Sequence, residues 1–253
     1  MKLSIITCTY NSQSYLQECI DSVVAQNLDK DMYEHVFIDW FSTDWTWDII
    51  KKYIEKHPDT TIVFKQKEAK WIYNAMNEGI KSAKWKYILC LNSDDYLSKD
   101  CLSSYLNFIA VTGDLDVYFS KIKLFSAQKD TVKIVPHYSF VTKIAFYRFG
   151  FNSLIYHPGV ILKKSLFDRF GYFNEKFKIV SDVEFRTKLN KHWVKFTFFD
   201  HVVSCFRMHE WSATWWSWAQ NKARWLQEYK QIRQQYYWKY FGWFLYLITK
   251  YTT

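Results

Sequence analysis

The chain has 253 residues, of which 49% are hydrophobic and 23% charged, a composition typical of a globular protein with a sizeable core. Its formal net charge of +9 is compatible with nucleic acid, an anionic membrane surface or a phosphorylated ligand as partner, and equally with a basic protein that binds none of these. Its five cysteines include no C-x-x-C pair, which argues against a zinc site and favours buried free thiols in a reducing compartment.

Strand and helix patterns alternate through the first hundred residues. The predicted strands are 3–8, 35–38, 61–64 and 87–91, and the predicted helices are 14–26, 43–56 and 72–83. Ser42 or Thr43 is predicted to cap the second helix, with Asp44 in its first turn. Strands joined by such helices form right-handed βαβ units. The sequence therefore predicts an α/β fold with a Rossmann-like, mainly parallel sheet flanked by helices.

The second half of the chain has a different pattern. The stretches DVYFSKIKLF, TVKIV and GVILKK predict a mixed-sheet extension, and a helix led by Ser181 and Asp182 is predicted within 177–190. A long helix is predicted over 212–237, followed by an aromatic and basic tail that ends at Tyr251. Such a tail is typical of a membrane interface, although a last helix packed on the domain is an equal alternative. We predict a catalytic domain over 1–211 and a C-terminal helix and tail over 212–253.

The sequence pattern predicts neither a signal peptide nor a membrane-spanning helix. The first residues begin a strand directly, and no apolar run approaches the ~20 residues that a spanning helix needs. We therefore expect a cytoplasmic protein, with a peripheral position on the inner face of the membrane as an option.

Polar residues follow three of the predicted strands. Because ligands of open parallel sheets bind beyond the carboxyl ends of the strands, we expect these residues to converge on one edge. They are Thr9, Tyr10 and Asn11 after the first strand, Asp39 after the second, and Asn92, Ser93, Asp94 and Asp95 after the fourth. Adjacent carboxylates repel each other unless a cation or hydrogen-bond donors compensate. The last group therefore predicts a site for Mg²⁺ or Mn²⁺, with an Asp-rich turn as the alternative.

Several ordered motifs resemble glycosyltransferase family 2 over nearly the whole chain. They are LSIITCTYNSQSYLQECIDSVVAQ, IDWFSTDWTWDIIKKY, IYNAMNEGIKSAKWKYILCLNSDDYL and HPGVILKKSLFDRFGYFNEKFKIVSDVEF. The resemblance implies an A-type glycosyltransferase fold that binds a nucleotide-sugar donor. It also implies an inverting transfer to a saccharide or lipid-linked acceptor, in the assembly of cell-surface polysaccharide.

The resemblance assigns roles to the residues at the predicted edge. Thr9, Tyr10 and Asn11 would line the nucleobase and ribose site, and Asp39 would bind the uracil or the ribose. Asp94 would be the principal metal ligand, with Asp95 and Ser93 beside it, while Asn92 replaces the first aspartate of the family's D-x-D motif.

Further roles fall on the second half of the chain. Asp182 would be the catalytic base, with a plain helix N-cap as the alternative. His157 would lie near the acceptor. Arg207 and His209 stand in the segment FRMHEWS, which reads as a loop, and either side chain could pair with the diphosphate. For both histidines a purely structural role is the alternative.

Tryptophan is unusually frequent and glycine unusually rare, with 13 and 6 residues respectively. Trp40, Trp45, Trp71 and Trp85 stand where the resembling family has glycine, and Trp211 falls where a glycine-containing loop is common. Trp85 is expected at a helix C′ position, which favours a left-handed glycine. One hypothesis is that these codons are UGA, read as glycine in the source organism; the other is a lineage rich in tryptophan. Genuine indoles at positions 40, 45 and 71 would crowd the donor pocket.

Three functions compete on this sequence. The first is an inverting, metal-dependent glycosyltransferase, and the second is a degenerate family member that binds nucleotide sugar without turnover. The third is a basic, aromatic nucleic-acid binder, which ranks last because no RNA- or DNA-binding motif is recognisable and the acidic edge would repel phosphates. We therefore expect a nucleotide-sugar partner and no nucleic acid.

Overall fold

The computed structural model describes residues 2–68, 70–113, 115–126, 130–135, 157–209 and 215–236. Within these residues the strands form one nine-stranded sheet. The strands are β1 (Leu3–Thr9), β2 (Tyr33–Asp39), β3 (Thr61–Gln66), β4 (Tyr87–Cys90), β5 (Tyr96–Leu97), β6 (Val117–Ser126), β7 (Thr131–Val135), β8 (Ile161–Lys163) and β9 (Phe196–Met208). The helices are α1 (Leu16–Val24), α2 (Thr46–Lys56), α3 (Ile72–Ser82), α4 (Cys101–Thr112), α5 (Ser165–Phe170), α6 (Ser181–Lys191) and α7 (Trp215–Tyr236).

The sheet has a parallel half and a mixed half, in the order β3-β2-β1-β4-β8-β6-β9-β5, with β7 paired to β6. Strands β3, β2, β1 and β4 are parallel. Strand β8 is antiparallel to both of its neighbours, and β9 runs parallel to β6. The chain builds outward from β1 to β3 and then returns to place β4 on the other side of β1. This reversal at β1 and β4 is the switch point where open sheets bind ligands.

Burial explains why the parallel half forms. Every residue of β1, β2 and β4 is buried, as expected for parallel strands covered on both faces. Helix α3 lies so close to β1 that a Cβ on Gly79 would stand 2.3 Å from Cγ2 of Ile6. The predicted α/β fold with a mixed extension is confirmed, and the five cysteines are buried and free, as predicted.

Some local predictions are wrong. Helix α2 begins at Thr46 with Trp45 at its N-cap position, because the Ser42 hydroxyl bonds Asp39 instead of a helix amide. Residues 206–208 belong to β9, so the segment around Arg207 is not a loop throughout. Elements α4, β5, α5 and β9 were not predicted.

The expected left-handed conformation at Trp85 is also wrong. Helix α3 ends at Ala83 with φ −64° and ψ 134°, so the chain leaves this helix in an extended conformation. Trp85 is not among the described residues with positive φ, whereas Trp193, which follows α6, has φ 58°.

The C-terminal part is described only up to Tyr236. The predicted long helix is confirmed as α7, and Ile232 of this helix packs with Phe177 and Val180. The predicted tail from 237 onward and Trp211 lie outside the described residues, and the domain boundary at 211 stays a prediction. No helix in the described part of the chain is both long and apolar enough to cross a membrane.

Candidate active site

The loops after β1 and β2 are joined by polar side chains. Thr9 donates its hydroxyl to Oδ1 of Asp39 at 2.8 Å, and the backbone N–H of Asn11 donates to the Ser42 hydroxyl at 2.9 Å. The amide oxygen of Asn11 accepts from the Thr43 N–H at 2.9 Å. Asn11 adopts φ 47°, which Asn tolerates better than most residues. These hydrogen bonds hold the two loops together, and residues 9–12 and 39–43 are called the donor ledge below.

Asp39 lies at the centre of this ledge and is fully buried. Besides Thr9, its carboxylate accepts hydrogen bonds from the hydroxyl and N–H of Ser42, at 2.6 and 3.0 Å, and from Nε2 of Gln66 at 3.2 Å. In this arrangement the carboxylate orients the 40–42 turn. Its predicted contact with uracil or ribose stays a prediction.

Tyr10 is an exposed aromatic residue of the ledge. Its side chain is 57% exposed, and its ring lies 4.9 Å from the partly buried ring of Trp40. The exposed face of Tyr10 is available to stack on a flat ring such as a nucleobase, an interaction that accepts any base.

The two adjacent aspartates after β4 have opposite environments. Asp95 is 1% exposed and accepts hydrogen bonds from the Arg207 N–H at 2.9 Å and the Asn92 side-chain amide at 3.0 Å. Burial, together with the neighbouring charge of Asp94, raises the pKa of Asp95 well above its ordinary value. Asp94 has a side chain that is 24% exposed, and its Oδ2 lies 2.9 Å from Nε2 of His209.

The burial of Asp95 explains why position 92 is an asparagine. An aspartate there would face the buried Asp95 carboxylate, whereas the amide of Asn92 donates to it. Ser93 connects this loop to the ledge, because its hydroxyl lies 2.9 Å from that of Ser12. Asp94 is thus the more exposed of the two carboxylates, while Asp95 accepts hydrogen bonds that hold the loop. The role of Asp94 as a metal ligand stays a prediction.

Arg207, on β9, bonds the loop that carries Asp94 and Asp95. Its Nε donates to the Asp94 carbonyl at 2.9 Å and its Nη2 to Glu18 at 2.5 Å, and the side chain is 4% exposed. The predicted contact of Arg207 with phosphate oxygens stays a prediction, since both of these donors already have protein acceptors. Glu18 was not predicted as a partner of Arg207, because a lone glutamate in the first turn of α1 carries no sequence signal for a distant ion pair.

Asp182 lies in the first turn of α6 and is 8% exposed. Its Oδ1 lies 2.7 Å from the Tyr73 hydroxyl, and its Oδ2 accepts from Nη2 of Arg186 at 2.7 Å. Because α6 begins at Ser181 with Val180 as its N-cap residue, Asp182 is not the helix N-cap. Tyr73 is in the first turn of α3, which follows a parallel strand and therefore begins near the carboxyl edge. Asp182 thus lies toward the edge that carries Asp94.

The charge state of Asp182 follows from its neighbours. Burial acts to raise the pKa of Asp182, but Arg186, His157 and the hydrogen bond from Tyr73 outweigh it and hold that pKa below the ordinary value. Asp182 is therefore an ionised, oriented carboxylate at neutral pH. Burial also lowers the pKa of His157 to about 4, so this imidazole is neutral there. Arg186 was missed, although its i,i+4 spacing from Asp182 is a readable signal.

Comparisons with known proteins identify the family of the chain and its fold. The model of the family described as Glycosyl transferase family 2 matches residues 4–171, and the chain belongs to this family. A poly(ribitol-phosphate) beta-glucosyltransferase of Bacillus spizizenii is 34% identical over 123 residues, which are 49% of this chain and 19% of that protein. The chain thus spans only a small part of this curated relative.

Two solved structures show the same fold. The 1–349 fragment of Staphylococcus aureus TarS, in complex with UDP-GlcNAc, aligns with a TM-score of 0.72 and 24% identity, over 92% of this chain and 65% of that one. The mannosyltransferase PcManGT of Pyrobaculum calidifontis, in complex with GDP-Man and Mn²⁺, aligns with a TM-score of 0.71 and 16% identity, over 92% of this chain and 64% of that one. These similarities confirm the A-type glycosyltransferase fold.

Proposed function

We propose that this family 2 glycosyltransferase is an inverting enzyme that moves a sugar from a UDP-sugar, or another nucleotide-sugar, to a saccharide or lipid-linked acceptor in cell-surface polysaccharide assembly. The observation that carries the proposal is the pair of unlike carboxylates toward one edge of the sheet. Asp94 is partly exposed beside the switch point, and Asp182 is ionised and oriented by Tyr73 and Arg186. We further propose that the enzyme works in the cytoplasm, with peripheral contact to the membrane.

The donor would bind on the ledge formed after β1 and β2. The exposed ring of Tyr10 suits the base, and Thr9, Asn11 and Asp39 give this part of the site a fixed shape. The complex of TarS with UDP-GlcNAc supports a UDP-sugar as donor, and the glucosyltransferase activity in the name of the Bacillus relative supports the transfer of a hexose.

A divalent cation, Mg²⁺ or Mn²⁺, would be held by Asp94. No cluster of three or more ligating side chains is found in the described part of the chain. That fits a hard cation that takes one or two carboxylates and completes its coordination with substrate phosphates and water. His209, 2.9 Å from Asp94, orients that carboxylate or turns toward the phosphates. When bound, the cation stabilises the charge that develops on the leaving diphosphate, and Mn²⁺ in the PcManGT complex supports this assignment.

Asp182 would act as the base. The acceptor hydroxyl oxygen forms a bond to C1 of the sugar while the bond from C1 to the diphosphate oxygen breaks, and the hydroxyl proton passes to Asp182. A single displacement of this kind inverts the anomeric centre. Because Tyr73 and Arg186 bond separate oxygens of Asp182, the carboxylate has one fixed orientation relative to the incoming hydroxyl.

The experiment compares wild type with Asp182→Asn, measuring UDP release from UDP-GlcNAc and other UDP-sugars, and UDP binding by calorimetry. We expect the substitution to lower turnover by about 10²–10⁴-fold, the usual contribution of a general base, and to leave UDP affinity within about twofold. Asp168→Asn, at an exposed position of α5, is the matched control and should behave as wild type.

The same experiment separates the second candidate function. A non-catalytic nucleotide-sugar binder is the second candidate, because the side chain at position 92 is an amide that donates to Asp95 and offers no carboxylate to a cation. If wild type binds UDP but releases none from any nucleotide sugar tested, the binder is correct. If Asp182→Asn keeps full turnover, Asp182 is not the base.

A further inference from the structure

We propose that Glu228 of α7 is a positioning residue for catalysis, because its carboxylate holds the turn that places Asp182. This proposal rests on the proposed function, in which Asp182 is the base. Glu228 is 6% exposed although it is charged, and buried charges require partners. Its partners are backbone N–H groups of Lys178, Ile179 and Val180, the residues immediately before α6.

The three hydrogen bonds use both oxygens of the carboxylate. Oε1 accepts from the Lys178 N–H at 2.9 Å, and Oε2 accepts from the N–H groups of Ile179 and Val180 at 3.0 and 3.3 Å. Three converging N–H donors on one ionised acceptor are among the stronger hydrogen-bond arrangements in proteins. The turn is therefore fixed in one geometry by a residue about fifty positions further along the chain.

Helix α6 has no side-chain cap of its own, so the position of its first turn depends on the turn that precedes it. Its N-cap residue is Val180, whose side chain makes no hydrogen bond to the helix, and valine is a poor N-cap residue. The carboxylate of Glu228 supplies a negative charge at the positive end of the helix. Glu228 thus bonds the N–H groups of the N-cap residue and of the two residues before it, whereas a local Ser or Asp would bond an N–H inside the first turn.

The opposite side of the turn contacts the catalytic residues. The Ile179 carbonyl lies 2.8 Å from the Tyr73 hydroxyl, which is also 2.7 Å from Asp182, so one phenolic proton is shared between two acceptors. The Lys178 carbonyl accepts from Nε1 of Trp71. A shift of the turn would therefore move the Tyr73 hydroxyl and the first turn of α6 together, and with them the carboxylate of Asp182.

The expected consequence is a selective loss of turnover. Glu228→Gln keeps the size of the side chain but turns an N–H donor toward backbone donors. We expect kcat for UDP release from UDP-GlcNAc, with water as acceptor, to fall about tenfold, because displacements near 1 Å at a reacting group cost up to about a hundredfold. The KM for UDP-GlcNAc and the affinity for UDP should stay within about twofold of wild type, since the donor ledge follows β1 and β2.

Two controls separate positioning from general instability. Gln231→Ala removes an exposed polar side chain from the same helix and should leave kcat unchanged. Ile109→Ala removes a side chain that is 1% exposed in α4 and so destabilises the protein elsewhere. Thermal unfolding is measured for all variants. If Ile109→Ala reduces kcat as much as Glu228→Gln at an equal loss of stability, the proposal is overturned.

A second readout does not depend on turnover. The indole N–H of Trp71 bonds the Lys178 carbonyl, so its NMR signal, assigned with Trp71→Phe, reports the position of the turn. We expect this signal to shift in Glu228→Gln and not in Gln231→Ala; an unchanged signal together with unchanged kcat refutes the proposal. If wild type releases no UDP, the proposed function fails, while the Trp71 signal still decides whether Glu228 holds the turn.

Discussion

Trp193 stands at a position that favours glycine, and Trp193→Gly should stabilise the protein. The residue follows the C-cap of α6 with φ 58°. Its N–H donates to the Asn190 carbonyl at 3.1 Å, and the Val194 N–H donates to the Leu189 carbonyl at 3.2 Å. These two bonds define a Schellman motif, whose left-handed residue is usually glycine.

The expected gain in the free energy of unfolding follows from the backbone conformation of Trp193 and from the exposure of its side chain. A residue with a Cβ in the left-handed region costs about 1–2 kcal/mol. Glycine also raises the conformational entropy of the unfolded chain, which offsets about 0.5–1 kcal/mol of this gain. The indole is 90% exposed, so its removal forfeits little burial. We expect a net gain of about 1 kcal/mol, which raises Tm by about 2–4 °C for a domain of this size.

The assay is thermal and urea unfolding of wild type, Trp193→Gly and Trp193→Ala. The alanine variant removes the indole but keeps the Cβ, so we expect its stability to lie within about 0.5 kcal/mol of wild type. Equal gains for glycine and alanine would mean that the exposed indole, not the backbone, causes the strain. A glycine variant less stable than wild type would refute the reasoning altogether.

Two further predictions concern titrating groups. Burial lowers the pKa of His35 to about 3, against 6.5 for the free side chain. Below pH 6.5 the unfolded chain therefore binds a proton that the folded chain does not, and the free energy of unfolding decreases as the pH is lowered. At pH 5 this group reduces the free energy of unfolding by about 2 kcal/mol. His35→Phe should flatten the unfolding free energy between pH 6.5 and 4.5, and an unchanged slope would contradict this. Asn92→Asp should lower stability at pH 7 by about 2 kcal/mol, because it replaces a donor to buried Asp95 with a third carboxylate. Added Mn²⁺ or a lower pH should restore part of that loss, and a variant whose unfolding ignores both would refute the account of this loop.

The parallel half of the sheet could be predicted because its strands are continuous apolar runs. Predicted and observed ends of β1 to β4 differ by at most two residues. Burial on both faces gives β1, β2 and β4 a clear signal. Strand β9 gives no such signal. Asp200 and His201 interrupt its apolar pattern, and its register with β6 shifts around Lys121, so the sequence resembles two short segments. Helix α4 has a helical spacing of buried residues and could have been identified from it.

The candidate site could be predicted in its residues but not in its partners. The aspartates at the strand ends are visible because parallel strands bring their carboxyl ends together. Which aspartate is buried depends on Arg207, more than a hundred positions away. Tyr73 is separated from Asp182 by a similar distance along the chain. Such contacts follow from tertiary packing, and local patterns do not encode them.

The backbone angles show which tryptophan positions favour glycine. Trp45 has φ −74° and Trp71 has φ −171°, conformations open to any residue, and the indole of Trp45 is 70% exposed. The backbone therefore gives no reason for glycine at these two positions. Among the tryptophans in the described part of the chain, Trp193 is the one with a positive φ, and it was not among the positions that the family resemblance marked.

The codon at position 193 is consequently the sharpest test of the UGA hypothesis. Six glycines and 13 tryptophans together equal an ordinary glycine share. The composition does not say which of the tryptophan positions would be glycine. If the codons at 193 and at 40, 45, 71 and 85 are UGA, glycine belongs at all five. The indole of Trp71 would then be absent from the turn before α6, and Glu228 would hold that turn with Tyr73 alone opposite it. If the codons are UGG, the indoles are native, and the strain at Trp193 is a real cost to the fold.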